Sequence, residues 1–143
     1  MAVFLPESIR CRLGYLLAKS HQRQLALFDK HTAELSVSGR EYAALLALEA
    51  NAGLRQSDIA ELLGVDRTTT TYLIDAMEQR GWLTRERDPA DRRAHRVVLT
   101  ADGLSALEVI RPAARASTEE LLTALNESER VLLKDLLTRV IES

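Results

Sequence analysis

Asp58-Ile59-Ala60-Glu61-Leu62-Leu63-Gly64-Val65-Asp66-Arg67-Thr68-Thr69-Thr70-Thr71-Tyr72 is a stretch in which one helix must stop and another start within three residues. Gly64 predicts the stop, because glycine takes the left-handed conformation of a helix C-terminus without a Cβ penalty. Asp66 predicts the new start, since its carboxylate can accept hydrogen bonds from the first free amides. Gln56 to Leu63 then makes about two turns, and Arg67 to Arg80, stopped by Gly81, about four. Two helices joined this tightly form a helix-turn-helix, the geometry that seats one helix in the major groove while its neighbour braces it. Beyond Gly81, Trp82 to Arg87 and Arg96 to Thr100 have strand character around the turn residues Asp88, Pro89 and Asp91, which predicts a small hairpin with an arginine-rich loop.

Upstream, Ser38 and Glu41 have the spacing of a capping box, and the helix they open carries Tyr42, Leu45, Leu46 and Leu48 until Asn51 and Gly53. Before it, Ile9, Leu13, Leu16, Leu17, Leu25 and Phe28 fall largely on one face, predicting a single amphipathic helix from Ser8 to about Asp29. Downstream, Thr100 caps a helix through Leu104, Leu107 and Ile110. Pro112 predicts a kink or break there, and the second half ends near Leu125. Asn126 with Glu129 starts a last helix whose Leu133, Leu136, Leu137, Val140 and Ile141 recur every three or four residues. These outer stripes are longer than the central unit can cover, so they are expected to cover each other and a second copy of the chain.

The composition fits one soluble domain: 143 residues, 46% apolar and 28% charged. The single cysteine, Cys11, cannot form an internal disulfide, and Met1 to Ile9 lacks the basic start and apolar run of a signal peptide, so the chain is expected to be cytoplasmic. No apolar run approaches the ~20 residues of a membrane helix. His21, His31 and His95 are scattered and offer no metal-ligand spacing, and neither a phosphate-binding glycine loop nor a nucleophile elbow is present. The reading is a binding protein without cofactor or metal, and not an enzyme. The net charge of −2 argues against nucleic acid only until it is divided. Residues 101–143 hold five cations and eight anions, whereas Arg80, Arg85, Arg87, Arg92, Arg93 and Arg96 stand against Glu86, Asp88 and Asp91, a local +3.

The segment Asp58 to Arg67, then Met77-Glu78-Gln79-Arg80-Gly81-Trp82-Leu83, Asp91-Arg92-Arg93 and Leu99-Thr100-Ala101-Asp102-Gly103, resembles the MarR family of transcriptional regulators in order and spacing. The resemblance implies a mainly α fold, a winged helix-turn-helix core with long N- and C-terminal helices forming a dimerisation region. It divides the chain into residues 1–37 and 101–143 for dimerisation and 38–100 for DNA binding. It further implies a homodimer on a pseudopalindromic double-stranded operator, most often a repressor, released by a small phenolic or aromatic-acid effector.

On the recognition helix, Thr70, Leu73, Ile74 and Met77 are expected to be buried, leaving Arg67, Thr68, Thr69, Thr71 and Tyr72 for DNA. Four successive β-branched threonines are poor helix formers, and their hydroxyls and methyls suit phosphates, base edges and thymine methyls. Relatives often carry arginine where Tyr72 and Ala76 stand, so A·T-rich half-sites are expected here. The resemblance makes Arg93 the minor-groove residue, with Asp66 a partner that orients it, and Arg92 and His95 phosphate contacts. Gln56 and Ser57, opening the supporting helix, suit a phosphate. Tyr15, His21, Tyr42, Leu46 and Arg85 are the effector-site residues the resemblance implies, each with an ordinary packing or surface role as the alternative. Cys11, flanked by Arg10 and Arg12, is a redox candidate, though it stands about one turn early against the family's peroxide sensors. The remaining alternative is a winged-helix module that docks a protein instead of DNA.

Overall fold

The computed structural model describes residues 3–143, so Met1 and Ala2, the start of the 1–37 segment, lie outside the described residues. In chain order the elements are α1 (Glu7–Arg10), α2 (Leu13–Thr32), a 3-10 turn (Ala33–Leu35), α3 (Gly39–Ala50), α4 (Gln56–Leu63), α5 (Arg67–Gln79), β1 (Leu83–Asp88), β2 (Asp91–Leu99), α6 (Ala101–Leu121) and α7 (Glu127–Glu142).

The helix starts follow from local chemistry. At α3, the Glu41 amide donates to Ser38 Oγ at 3.1 Å while Glu41 Oε2 accepts the Ser38 amide at 2.8 Å. Asn126 and Glu129 repeat this box at α7, and Thr100 Oγ1 accepts the Gly103 amide at 3.0 Å at α6. Each cap satisfies amides that have no partner inside the helix. Gly64 closes α4 in the left-handed region with φ 63°.

Four expectations need correction. The helix expected from Ser8 to Asp29 is two: Arg12 is extended (ψ 135°) between α1 and α2, and α2 runs on to Thr32. Since α1 buries no side chain, no packing holds it in line with α2. The break expected at Pro112 is absent, because α6 passes through it. Pro112 and Glu108 are on the exposed side, where water can satisfy the Glu108 carbonyl, while Ile110, Ala114 and Ser117 are buried on the other face. This helix also stops at Leu121, not near Leu125. The hairpin loop is far shorter than expected, with Pro89 and Ala90 alone between the strands.

The hairpin pairs antiparallel with Leu83 opposite Leu99, Arg85 opposite Val97 and Arg87 opposite His95, then shifts register so that Asp88 faces Asp91. Leu54, between α3 and α4, bonds Val97 through both backbone groups at 2.7 and 3.0 Å, which anchors the hairpin to the helices. One core joins all these elements: Phe28 of α2, Leu45 and Leu48 of α3, Ile59 of α4, Ile74 and Met77 of α5, Leu83, Val97, and Leu107 and Ile110 of α6. Outside it, Leu13, Leu16 and Leu17 of α2 and Val131, Leu132, Leu136, Val140 and Ile141 of α7 remain exposed. Among the described residues, no helix is long and apolar enough to cross a membrane.

Candidate functional site

The recognition helix is α5. Thr70, Ile74 and Met77 are fully buried, and the spacing of four puts Thr68, Tyr72 and Ala76 on the exposed face. Tyr72 is 73% exposed, a large side chain with its ring in solvent. The threonine hydroxyls are satisfied by the preceding turn: Thr70 Oγ1 donates to the Asp66 carbonyl at 2.8 Å and Thr71 Oγ1 to the Arg67 carbonyl at 3.0 Å. Gln56 Nε2 then donates to Thr71 Oγ1 at 2.5 Å, tying α4 to α5. Both groups are therefore engaged with each other, whereas Ser57, Arg67 and Thr68 are exposed.

Asp66 does not orient Arg93. Its carboxylate accepts the Thr69 amide at 2.7 Å and the Thr69 hydroxyl at 2.8 Å. Those two bonds, the amide first, hold its carboxyl below the ordinary value near 3.8. A depressed carboxyl contributes stability above the unfolded pKa and loses it as pH falls through the folded one. Asp66→Ala is accordingly expected to lower the Tm at pH 7, with the gap to the parent chain narrowing as both are acidified toward pH 3. Thermal melts across that range check this, and a gap independent of pH would show that the ionised cap is not what holds the helix start.

In the hairpin, Arg92, Arg93 and His95 stand exposed on β2 itself, not in a loop. Alternation along the strand places Arg93 and His95 on one face and Arg92 on the other, so the two arginines reach different neighbours. Three other guanidinium groups are occupied. Arg85 bridges Asp75 at 2.5 Å and Glu78 at 2.9 Å, strapping β1 to α5. Arg96 faces Glu86 at 3.6 Å, and Arg80 donates to the Ser36 and Leu35 carbonyls while lying 3.6 Å over the Trp82 ring. Among the described residues, Arg87, Arg92 and Arg93 have no ion-pair partner, and they carry the free charge of the hairpin. The tip is held by Asp88, which accepts the Ala90 amide at 2.9 Å and pairs with Arg55 at 3.2 Å. The Ala90 amide, and after it Arg55, hold the Asp88 carboxyl below its usual range. Arg55 thus contacts the hairpin, while its amide donates to Asp58 Oδ2 at 2.9 Å to start α4.

A cleft of about 770 Å³ opens between α2, α3, α6 and the turn of the helix-turn-helix. His21, Tyr42 and Leu46 line it, and Tyr42 stacks on Phe28 with centroids 5.5 Å apart. Tyr15 and Arg85 do not: Tyr15 lies under the Lys19 ammonium, and Arg85 is the strap already described. The cation that sequence reasoning missed is Arg40, which lines the cleft from the first turn of α3, with Gln24 and Ser117 as further polar groups. Its signal was position, since Arg40 precedes Tyr42 by two residues on a helix already identified. One wall of the cleft is Leu62, Leu63, Gly64 and Val65, the turn that leads into the recognition helix. Cys11 is exposed between α1 and α2, its thiol donating to the Glu7 carbonyl at 2.9 Å.

Residues 35–94 match the sequence model of the MarR family. Over 138 residues the chain is 29% identical to the HTH-type transcriptional repressor NicR of Pseudomonas putida, covering 96% of this chain and 87% of that protein. The fold superposes with a TM-score of 0.87 on BpsR of Bordetella bronchiseptica, whose DNA binding is regulated by 6-hydroxynicotinic acid, at 28% identity and 97% and 99% coverage of the two chains. CouR, a repressor bound to a 23-mer DNA duplex, superposes with a TM-score of 0.88 at 28% identity, covering 98% of this chain and 99% of that one.

Proposed function

We propose that this chain is a member of the MarR family, a cytoplasmic, homodimeric winged helix-turn-helix repressor that leaves a pseudopalindromic operator when an aromatic acid fills the cleft beside the helix-turn-helix. Its relatives are transcriptional regulators, not enzymes. In this reading residues 38–100 bind DNA, and the exposed apolar faces of residues 1–37 and 101–143 pair with a second copy, which sets two recognition helices into successive major grooves. Arg67, Thr68 and Tyr72 read bases or phosphates from α5, with Thr69 and Thr71 as their hydrogen-bonded support. Ser57 approaches the backbone from α4, and Gln56 fixes the angle between the two helices. Arg92, Arg93 and His95 follow the groove from the wing, and a selected operator should be A·T-rich, since α5 offers one arginine to guanine.

The observation that carries the effector half is the cleft wall. Leu62 to Val65 line the cavity, and α5 begins two residues later at Arg67, so a ligand wedged there displaces the helix that meets DNA. Arg40 supplies the cation for a carboxylate, Tyr42 an aromatic face, and His21 and Leu46 the remaining polar and apolar walls.

The test is release of a labelled fragment of the protein's own promoter by a panel of aromatic acids. Arg40→Ala is expected to leave operator affinity unchanged and to raise the half-releasing acid concentration roughly tenfold, the loss of one charge-assisted contact. Release unaffected by any acid, or unaltered by Arg40→Ala, would reject this account. Nothing in the geometry at Cys11 favours the redox alternative, and nothing favours protein docking over DNA.

A further inference from the structure

The core does not reach the outer half of the hairpin. From Glu86 to Arg96 no side chain is buried, so this part of β1 and β2 is a two-stranded ribbon, a form with little stability of its own. The inner half is fixed by the Leu54 bonds to Val97 and by the Arg85 strap. Beyond those, among the described residues, a single ion pair ties the ribbon to the helical part: Arg55 Nε and Nη2 both donate to Asp88 Oδ2, at 3.3 and 3.2 Å.

Both partners are placed to hold. Arg55 stands between Leu54, which is bonded to β2, and the first turn of α4. Its amide donates to Asp58 Oδ2 at 2.9 Å, and its carbonyl accepts the Asp58 and Ile59 amides at 3.0 and 3.2 Å. The backbone of Arg55 is therefore fixed, and its side chain reaches the tip from a fixed point. Asp88 stands at the register shift, opposite Asp91, with its side chain only 15% exposed. Its Oδ1 accepts the Ala90 amide and closes the turn, which leaves Oδ2 for the guanidinium. Like charges directly opposite destabilise a strand pair, and Arg55 neutralises one of these two carboxylates. Arg96, the other cation acting on Asp88, is engaged by Glu86.

We infer that Arg55 is a positioning residue for the wing: its ion pair with Asp88 pins the hairpin tip to the start of α4 and so sets the offset of Arg92 and Arg93 from the recognition helix. This rests on the reading that the wing meets DNA beside α5. An operator fits both protomers only when each wing stands at that offset, whereas a non-specific duplex responds to charge alone. Loss of the pair therefore lowers the ratio of operator to non-specific affinity. An exposed ion pair shifts an equilibrium a few-fold and a dimer has two, so the ratio is expected to fall roughly fivefold.

The experiment is anisotropy titration of operator and scrambled duplexes with the parent chain, Arg55→Gln, Asp88→Asn and the double variant. Arg55→Gln is expected to cut the ratio roughly fivefold in the parent chain, and less than about twofold when Asp88→Asn is already present, because the pair is then already absent. Arg55→Lys, which keeps a donor cation, should retain most of the ratio. In the free proteins, backbone amide relaxation by NMR should show Ala90 and Arg93 more mobile in Arg55→Gln and α5 unchanged, a readout that loss of a phosphate contact does not move. An Arg55→Gln loss that is equal in the two backgrounds, or equal on operator and scrambled duplex, overturns the inference by making Arg55 a direct DNA contact. Unaltered amides at the tip overturn it as well. Parent-like ratios in every variant remove the inference and leave the DNA-binding reading intact, whereas a parent chain that binds no duplex removes both.

Discussion

Replacing Arg92 and Arg93 together by alanine is expected to weaken operator binding roughly tenfold to a hundredfold and to flatten its dependence on salt. Both guanidinium groups are exposed on β2, and neither has an ion-pair partner among the described residues. Nothing inside the protein therefore competes with a phosphate or a narrow minor groove for them. Each lost phosphate contact lowers the slope of log affinity against log salt by about 0.9, and a dimer carries two wings, so a decrease of roughly two to four is expected. Anisotropy titrations at several salt concentrations measure both quantities. Unchanged affinity together with an unchanged slope would take the wing out of the DNA interface. The effect should be large because free cations are few: Arg80, Arg85 and Arg96 are already held within the fold.

Gly103→Ala is expected to destabilise the fold by about 3 kcal/mol, a cost at the upper end of overpacking a filled site. Gly103 is buried in the first turn of α6, where the helix crosses the start of the hairpin. A Cβ there would overlap the Trp82 carbonyl and press on the Leu99 side chain. The backbone cannot easily yield, because the same carbonyl accepts the Thr100 amide at 3.1 Å, and the Thr100 hydroxyl donates to the Gly81 carbonyl at 2.5 Å. Helix propensity alone favours alanine over glycine by about 1 kcal/mol, so the two effects have opposite signs. Thermal unfolding should show a Tm lower by roughly 6 to 12 °C. A higher Tm would mean that propensity wins and the crossing is loose.

The features legible in the sequence are those decided within a few residues. Ser38 with Glu41, Asp66 with Thr69, Thr100 with Gly103 and Asn126 with Glu129 each close a hydrogen-bonded loop of three or four residues. Gly64 stops α4 by its own conformational freedom. Burial on α5 was also readable, since Thr70, Ile74 and Met77 recur at helical spacing. The misreadings fall where a distant partner decides. The sequence leaves Arg85 available to an effector, but Asp75 and Glu78 are brought to it when β1 packs beside α5. Arg40 passed unnoticed because its cleft is walled by helices far from it in sequence.

By itself, then, the sequence determined the helix-turn-helix, its caps, the basic hairpin and the apolar stripes of the outer helices, all consequences of propensity, periodicity and short-range hydrogen bonding. The tertiary structure alone decided which hairpin arginines are held in ion pairs, that α6 passes Pro112 unbroken, and that the cleft shares a wall with the turn before α5. The physical reason is the same in each case. An ion pair, the packing that holds a proline-bearing helix together and the lining of a cavity all depend on groups far apart along the chain, which are brought into contact only when the core from Phe28 to Ala114 assembles.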